Sequence, residues 1–183
     1  MDTLTERDRL LNLLREKSVK TGDFVLASGK RSDFYVDVRQ TSLHSEGSYL
    51  IARLLLEAIS DKAQGIGGLT MGADPLACAT SAVAHAQGRP LHAFLIRKES
   101  KGHGTGQYVE GMANFEAGSQ VVVVEDTTTT GGSLLTAIER AEDAGLKVIQ
   151  CITVVDREEG ARDRILEAGH DLLALTTRSE LLA

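Results

Sequence analysis

Tryptophan is absent from the 183 residues, and aromatic side chains make up only 4% of them. Any core this chain builds is therefore aliphatic. Basic residues are in the minority: 20 Lys and Arg against 26 Asp and Glu give a formal net charge of −6. Neutralising a nucleic-acid backbone needs a basic face, which argues against a nucleic-acid binder, although a local basic loop can still hold a small anion. Cysteine is nearly missing as well. Cys78 and Cys151 sit in the apolar runs PLACATSAVA and VIQCITVVD without metal-ligand spacing, and they read as buried free thiols. No apolar run approaches membrane-spanning length, and MDTLTERDRLLNLLREKS is a charged amphipathic helix pattern, not a signal peptide. The expectation is a cytoplasmic protein with no membrane association.

What is present supports a folded domain, with 42% hydrophobic and 25% charged residues. A first helix begins near Thr3 or Thr5 and presents Leu10, Leu11, Leu13 and Leu14 on one side. GDFVLASGKRSDFYVDVR then reads as two short strands joined by a Ser-Gly turn, and EGSYLIARLLLEAI as a helix. From there short apolar runs (GIGGL, LHAFLI, QVVVVE, KVIQCITVVD, DLLALTT) alternate with helical stretches (DPLACATSAVAHA, SLLTAIERAEDAG, GARDRILEAG). The alternation predicts a doubly wound α/β fold, a mostly parallel sheet flanked by helices on both faces. Without a linker or a repeat, residues 1–183 read as a single domain in which 1–40, a helix and a hairpin, are an appendage to the sheet. Ligands in such folds bind beyond the carboxyl ends of strands, so the informative loops are those after Gly68, Ile96, Val124 and Val155.

The third of these is the most unusual. VVVVEDTTTTGGS reads as a strand over residues 121–124, a turn over 127–132 and a helix from Ser133. Amides in that turn, with the positive end of the helix dipole, form an anion cradle. Gly131 and Gly132 permit close approach of the backbone, and the hydroxyls of Thr127, Thr128, Thr129, Thr130 and Ser133 add donors. A helix cap would account for one threonine, leaving the others and both acids without a task. Glu125 and Asp126 would repel phosphate but suit sugar hydroxyls, so the loop fits a ribose 5-phosphate. A Walker-type loop is excluded because no Lys follows Gly132, and GIGGLTMG has Thr70 where a dinucleotide fingerprint needs its third glycine.

Two further stretches carry chemistry. RKESKGHGTGQYVEG places Arg97, Lys98, Lys101 and His103 among four glycines after a strand. By composition it is either a solvated hairpin or a mobile cationic loop able to neutralise a departing polyanion. FVLASGKRSDFYVD by its pattern is an amphipathic hairpin at the edge of the domain. In GLTMGADP, Asp74 reads as a helix N-cap with Pro75 at the first helical position.

The acid pair followed by a Thr/Gly loop resembles the signature of the type I phosphoribosyltransferases. RKxxKxHG is similar to the catalytic loop of their orotate branch, and FVLASGKRSDFYVD looks like that branch's N-terminal hood. The resemblance implies the substrates orotate and phosphoribosyl pyrophosphate (PRPP), converted to orotidine 5′-monophosphate and pyrophosphate in pyrimidine nucleotide synthesis. It places the 5-phosphate on Thr127, Thr128, Thr129, Thr130, Gly131, Gly132 and Ser133, and the ribose hydroxyls on Glu125 and Asp126. Lys101, His103, Arg97 and Lys98 then stabilise charge on pyrophosphate, and Glu125 and Asp126 favour positive charge in the ribose ring. Phe34 and Tyr35, Thr129 and Arg157 would hold orotate, the last through its carboxylate. GLTMGADP falls where the family binds pyrophosphate. The resemblance also implies Mg²⁺ carried by the substrate with no ligand directly from protein side chains, and a homodimer sharing its sites across the interface. The chain departs from the pattern at Ala27, where some members have Lys, and in its Glu-Asp acid pair. A phosphoribosyltransferase for a purine leaves the hood and cationic loop unexplained, a PRPP-sensing nucleic-acid module conflicts with the acidic net charge, and a generic phosphate binder needs the cationic loop to be accidental.

Overall fold

Four consecutive valines set the centre of the molecule. In the computed structural model, which describes residues 4–25, 31–100 and 107–183 (without the side chains of 23–25 and 31–33), Val121, Val122, Val123 and Val124 are all buried in strand β6, Gln120–Thr128. Successive side chains of a strand point to opposite faces. Accordingly Val121 and Val123 join one apolar cluster and Val122 and Val124 the other.

Both faces of β6 are covered because its neighbours are parallel and need helical crossovers. It pairs in parallel with β3, Gly65–Leu69, on one side and β7, Lys147–Asp156, on the other. Outside β3 lie β4, His92–Ile96, and the short antiparallel β5, Val109–Glu110; outside β7 lies β8, Leu172–Thr177. One layer of helices comprises α1 (Glu6–Lys17), α3 (Ser45–Ala58), α4 (Ala73–Ala86) and α7 (Arg178–Leu182). The other comprises α5, Gly132–Asp143, and α6, Ala161–Glu167. The expected doubly wound, mostly parallel sheet is thus the observed fold.

The N-terminal segment caps one end of this frame. Helix α1 starts at a capping box: the Thr5 hydroxyl accepts from the Asp8 N–H at 3.1 Å, and the Asp8 carboxylate accepts from the Thr5 N–H at 3.1 Å. Leu10 and Leu14 of α1 are fully buried beside α3. A two-stranded antiparallel hairpin follows, β1 (Val19–Val25) and β2 (Arg31–Val36), and then the four-residue helix α2, Arg39–Ser42. The Ser-Gly turn between the strands, with Ala27, lies outside the described residues.

Two local expectations are corrected. The turn expected over residues 127–132 contracts to 129–131, because β6 continues through Thr128. Thr127 and Thr128 are in register with Val155 and Asp156, and the Arg157 N–H donates to the Thr128 carbonyl at 2.9 Å. β-Branched threonine suits a strand, and β7 is long enough to pair with it. Asp74 is not an N-cap: α4 begins at Ala73 with Gly72 as the capping residue, leaving Asp74 in the first turn. Strand β5 and helices α2 and α7 are additions to the expected elements; each has five residues or fewer, too short for a periodic pattern.

Candidate active site

Strand order reverses between β3 and β6, and at such a switch point the two outgoing loops diverge and leave a crevice. A cleft of about 490 Å³ lies there. The β3 side supplies residues 69–72 and the β6 side residues 125–127 and Ser133. Lys98, just beyond β4, and Asp37 and Arg39, just beyond the hairpin, complete its charged lining.

The acid pair is held in a poor place for charge. Burial, then the neighbouring Asp126 carboxylate, pushes Glu125 up to about 7, against stabilising hydrogen bonds from Thr128 and Ser133. Burial also raises Asp126; the Thr127 N–H, donating to its Oδ1 at 2.8 Å, and the Arg39 guanidinium oppose that rise. Two carboxylates that are costly to ionise side by side are primed to share hydrogen bonds with hydroxyl donors.

Beside them the chain builds the anion cradle. Gly131 caps α5 with φ of 79°, a left-handed conformation that favours glycine, so the turn closes tightly on the helix N-terminus. Strand pairing takes Thr128 out of the cradle; it is buried, and its hydroxyl donates to Glu125 Oε2 at 3.4 Å. Thr127 still lines the cleft, and the residues left to form the cradle are Thr129, Thr130, Gly131, Gly132 and Ser133. From α6, Arg164 donates to the Thr130 carbonyl at 3.3 Å, adding a cation next to the cradle. Arg164 was not a candidate from sequence, since an exposed helix arginine carries no signal of its neighbours.

The remaining candidates divide. Lys98 lines the cleft, whereas Arg97 turns aside and pairs with Glu110 at 2.8 Å. Lys101 and His103 lie outside the described residues. Arg157 stands at the end of β7 with only 8% of its surface exposed, paired with Glu159 at 2.8 Å and with a buried Nε lacking a hydrogen-bond partner. Its guanidinium lies 5.9 Å from the Phe34 ring centroid, joining the hood to the β7 loop. The expected aromatic pair splits. Phe34 is fully buried in the α1–α3 cluster and is a packing residue, not an open platform for a base; Tyr35, on the opposite face of β2, is 37% exposed. A period of two along a strand forces that split. Arg39 and Asp37 were also missed, because a short helix between hood and body gives no pattern to read.

Among the described residues no helix is long and apolar enough to cross a membrane. The phosphoribosyl transferase domain family matches residues 40–166. An orotate phosphoribosyltransferase of Nostoc sp. is 42% identical over 180 residues, spanning 98% of this chain and 87% of that protein. One of Aquifex aeolicus is 42% identical over 183 residues, 98% of this chain and 99% of that one. The solved structure of Mycobacterium tuberculosis orotate phosphoribosyltransferase in complex with 5-phospho-α-D-ribosyl 1-diphosphate matches with a TM-score of 0.81 and 39% identity, covering 98% of this chain and 100% of that one. A cleft with an acid pair and an anion cradle at the sheet's switch point is thus set in a full-length likeness of sequence and fold, and the chain belongs to the orotate phosphoribosyltransferases.

Proposed function

We propose that the cleft between β3 and β6 binds PRPP and that the chain transfers its ribose 5-phosphate to orotate, giving orotidine 5′-monophosphate and pyrophosphate for UMP synthesis. The observation that carries this reading is the adjacency of acid pair and anion cradle. Glu125 and Asp126 accept from the ribose hydroxyls, and the amides from Thr129 to Ser133 hold the 5-phosphate. The orotate ring nitrogen attacks C1 of the ribose; the C1–oxygen bond to pyrophosphate breaks, and the leaving group takes the electron pair. No protein nucleophile is needed, so catalysis is positioning and electrostatics.

Lys98 neutralises pyrophosphate from within the cleft, and Arg97, Lys101 and His103 are shared with the site of a second copy in a homodimer. Arg157 receives the orotate carboxylate. Its buried, unpartnered Nε and single ion pair leave donors for a planar acceptor, and Phe34 backs it from the hood. Thr129 sits between cradle and base, and Tyr35 borders the base side of the hood.

Mg²⁺ fits as an ion brought by the substrate. The Glu125 and Asp126 carboxylates are suited to sugar hydroxyls, and Mg²⁺ keeps phosphate and water oxygens as its ligands, with none directly from a protein side chain. When bound it supplies positive charge to the departing pyrophosphate. Residues 1–183 act as one domain with 1–40 as the hood, in the cytoplasm, where the free thiols stay reduced; Cys151 is buried as expected, whereas Cys78 is exposed, against the expectation.

The test is orotate consumption followed by absorbance with PRPP and Mg²⁺, beside Lys101→Ala and with hypoxanthine and adenine as competing bases. Orotate loss that needs the metal and falls by orders of magnitude in the variant is the expected result. Consumption of a purine with orotate untouched would overturn the base assignment.

A further inference from the structure

Arg39 opens α2 directly after the hood and lines the same cleft as Lys98 and residues 70–72. Its Nε donates to Asp37 Oδ1 at 2.8 Å, and its backbone N–H donates to the same oxygen at 3.2 Å. The other Asp37 oxygen accepts from Gln40 Nε2 at 3.2 Å. One carboxylate thus fixes the guanidinium by a single edge. The two terminal nitrogens have no hydrogen-bond partner among the described residues.

A purely structural task explains this poorly. The Arg39 side chain is 44% exposed, and an ion pair so open to water adds little stability. The charge does reach the site, since the Arg39 guanidinium opposes the rise of the Asp126 carboxyl. Its position within the cleft is also one-sided. Arg157 and Phe34, the base end in our reading, are not part of this lining; residues 70–72 and Lys98, the pyrophosphate end, are.

We infer that Arg39 is a substrate-contacting residue whose two terminal nitrogens donate to the pyrophosphate group of PRPP, with Asp37 as the positioning residue that presents them. The inference rests on the proposed binding of PRPP in this cleft. A planar fork held along one edge offers two parallel donors to phosphate oxygens, which a lysine ammonium cannot. Together with Lys98 it brackets the leaving group with two cations drawn from segments far apart in sequence.

The test is calorimetric titration of inorganic pyrophosphate with Mg²⁺, and separately of ribose 5-phosphate, into wild type, Arg39→Ala, Arg39→Gln and Arg39→Lys. Arg39→Ala should weaken pyrophosphate by about tenfold or more, the size of a lost charge-assisted hydrogen bond, while ribose 5-phosphate stays within about twofold. Arg39→Lys should recover part of the loss. Arg39→Gln keeps a polar side chain without the charge, so a loss of pyrophosphate affinity at an unchanged melting temperature separates contact from folding. Unchanged pyrophosphate affinity in Arg39→Ala, or equal weakening of both ligands, overturns the inference. Failure of the wider reading looks different: wild type would then bind neither ligand, and both fall.

Discussion

A β-carbon built on Gly72 would lie 2.5 Å from Oδ1 of Asp126. The backbone at Gly72 is ordinary, with φ of −60° and ψ of −42°, so an alanine there carries no conformational strain. The whole cost falls on the Asp126 carboxylate, the free end of a side chain that can swing away. Gly72→Ala is therefore expected to melt within a few degrees of wild type while losing tenfold or more in kcat/KM for PRPP, about 1.4 kcal/mol of transition-state binding. A variant that unfolds early, or one that keeps full activity, would show that the contact does not position the carboxylate.

Much of the frame was legible because a buried parallel strand reads as an unbroken apolar run, and KVIQCITVVD is observed as β7 with those bounds. The site was legible in its chemistry and less so in its geometry. Thr127 and Thr128 look like loop residues by their hydroxyls, yet pairing with β7 makes them strand, and only that long-range pairing decides it. Phe34 and Tyr35 read as a pair in sequence, but a strand sends neighbours to opposite faces. Arg39, Arg164 and Gly72 owe their importance to residues 30 or more positions away, which no local pattern records.

Glu125 makes a prediction about pH. Unfolded, its carboxyl titrates near 4.5; folded, burial and Asp126 carry it to about 7. Between those values the folded state binds more protons, so this group's stabilising contribution is fully present below about pH 4.5 and is lost as pH rises through about 7. Glu125→Gln removes the ionisation. Thermal melts from pH 5 to 8 should show wild type losing more stability than the variant, by on the order of 1–3 kcal/mol. Parallel curves for the two proteins would exclude the effect.

Arg157 should separate the two substrates. Arg157→Ala removes the donors proposed for the orotate carboxylate and leaves the cleft beside Glu125 intact. The expected outcome is an orotate KM higher by ten- to a hundredfold, equivalent to about 1.5–3 kcal/mol, with the PRPP KM nearly unchanged. Glu159 is 38% exposed in the side chain, so leaving it unpaired adds little to the cost of truncating the buried Arg157. Steady-state kinetics with each substrate varied in turn decides the matter; equal rises in both KM values would count against a base-specific role.

Arg140 connects the two functional loops through one helix. It lies on α5, whose N-terminus is the proposed phosphate cradle, and its Nη1 donates to the Arg97 carbonyl at 2.5 Å. The same guanidinium sits 4.1 Å from the Tyr108 ring centroid, and the Arg97 N–H donates to the Tyr108 carbonyl at 2.8 Å. One side chain thus ties α5 to both Arg97 and Tyr108, and the next residue after Arg97 is Lys98, which lines the cleft. Arg140→Ala should cost about 1–2 kcal/mol in stability from the lost hydrogen bond and ring contact. It should also lower kcat about tenfold as Lys98 loses its fixed peptide. Tyr108→Phe keeps the ring and should resemble wild type, whereas Tyr108→Ala should resemble Arg140→Ala. If the clamp acts as a unit, the double variant Arg140→Ala/Tyr108→Ala loses less than the sum of the single losses in kcat. Full additivity would mean that Arg140 and Tyr108 act separately and that α5 does not set the position of Lys98.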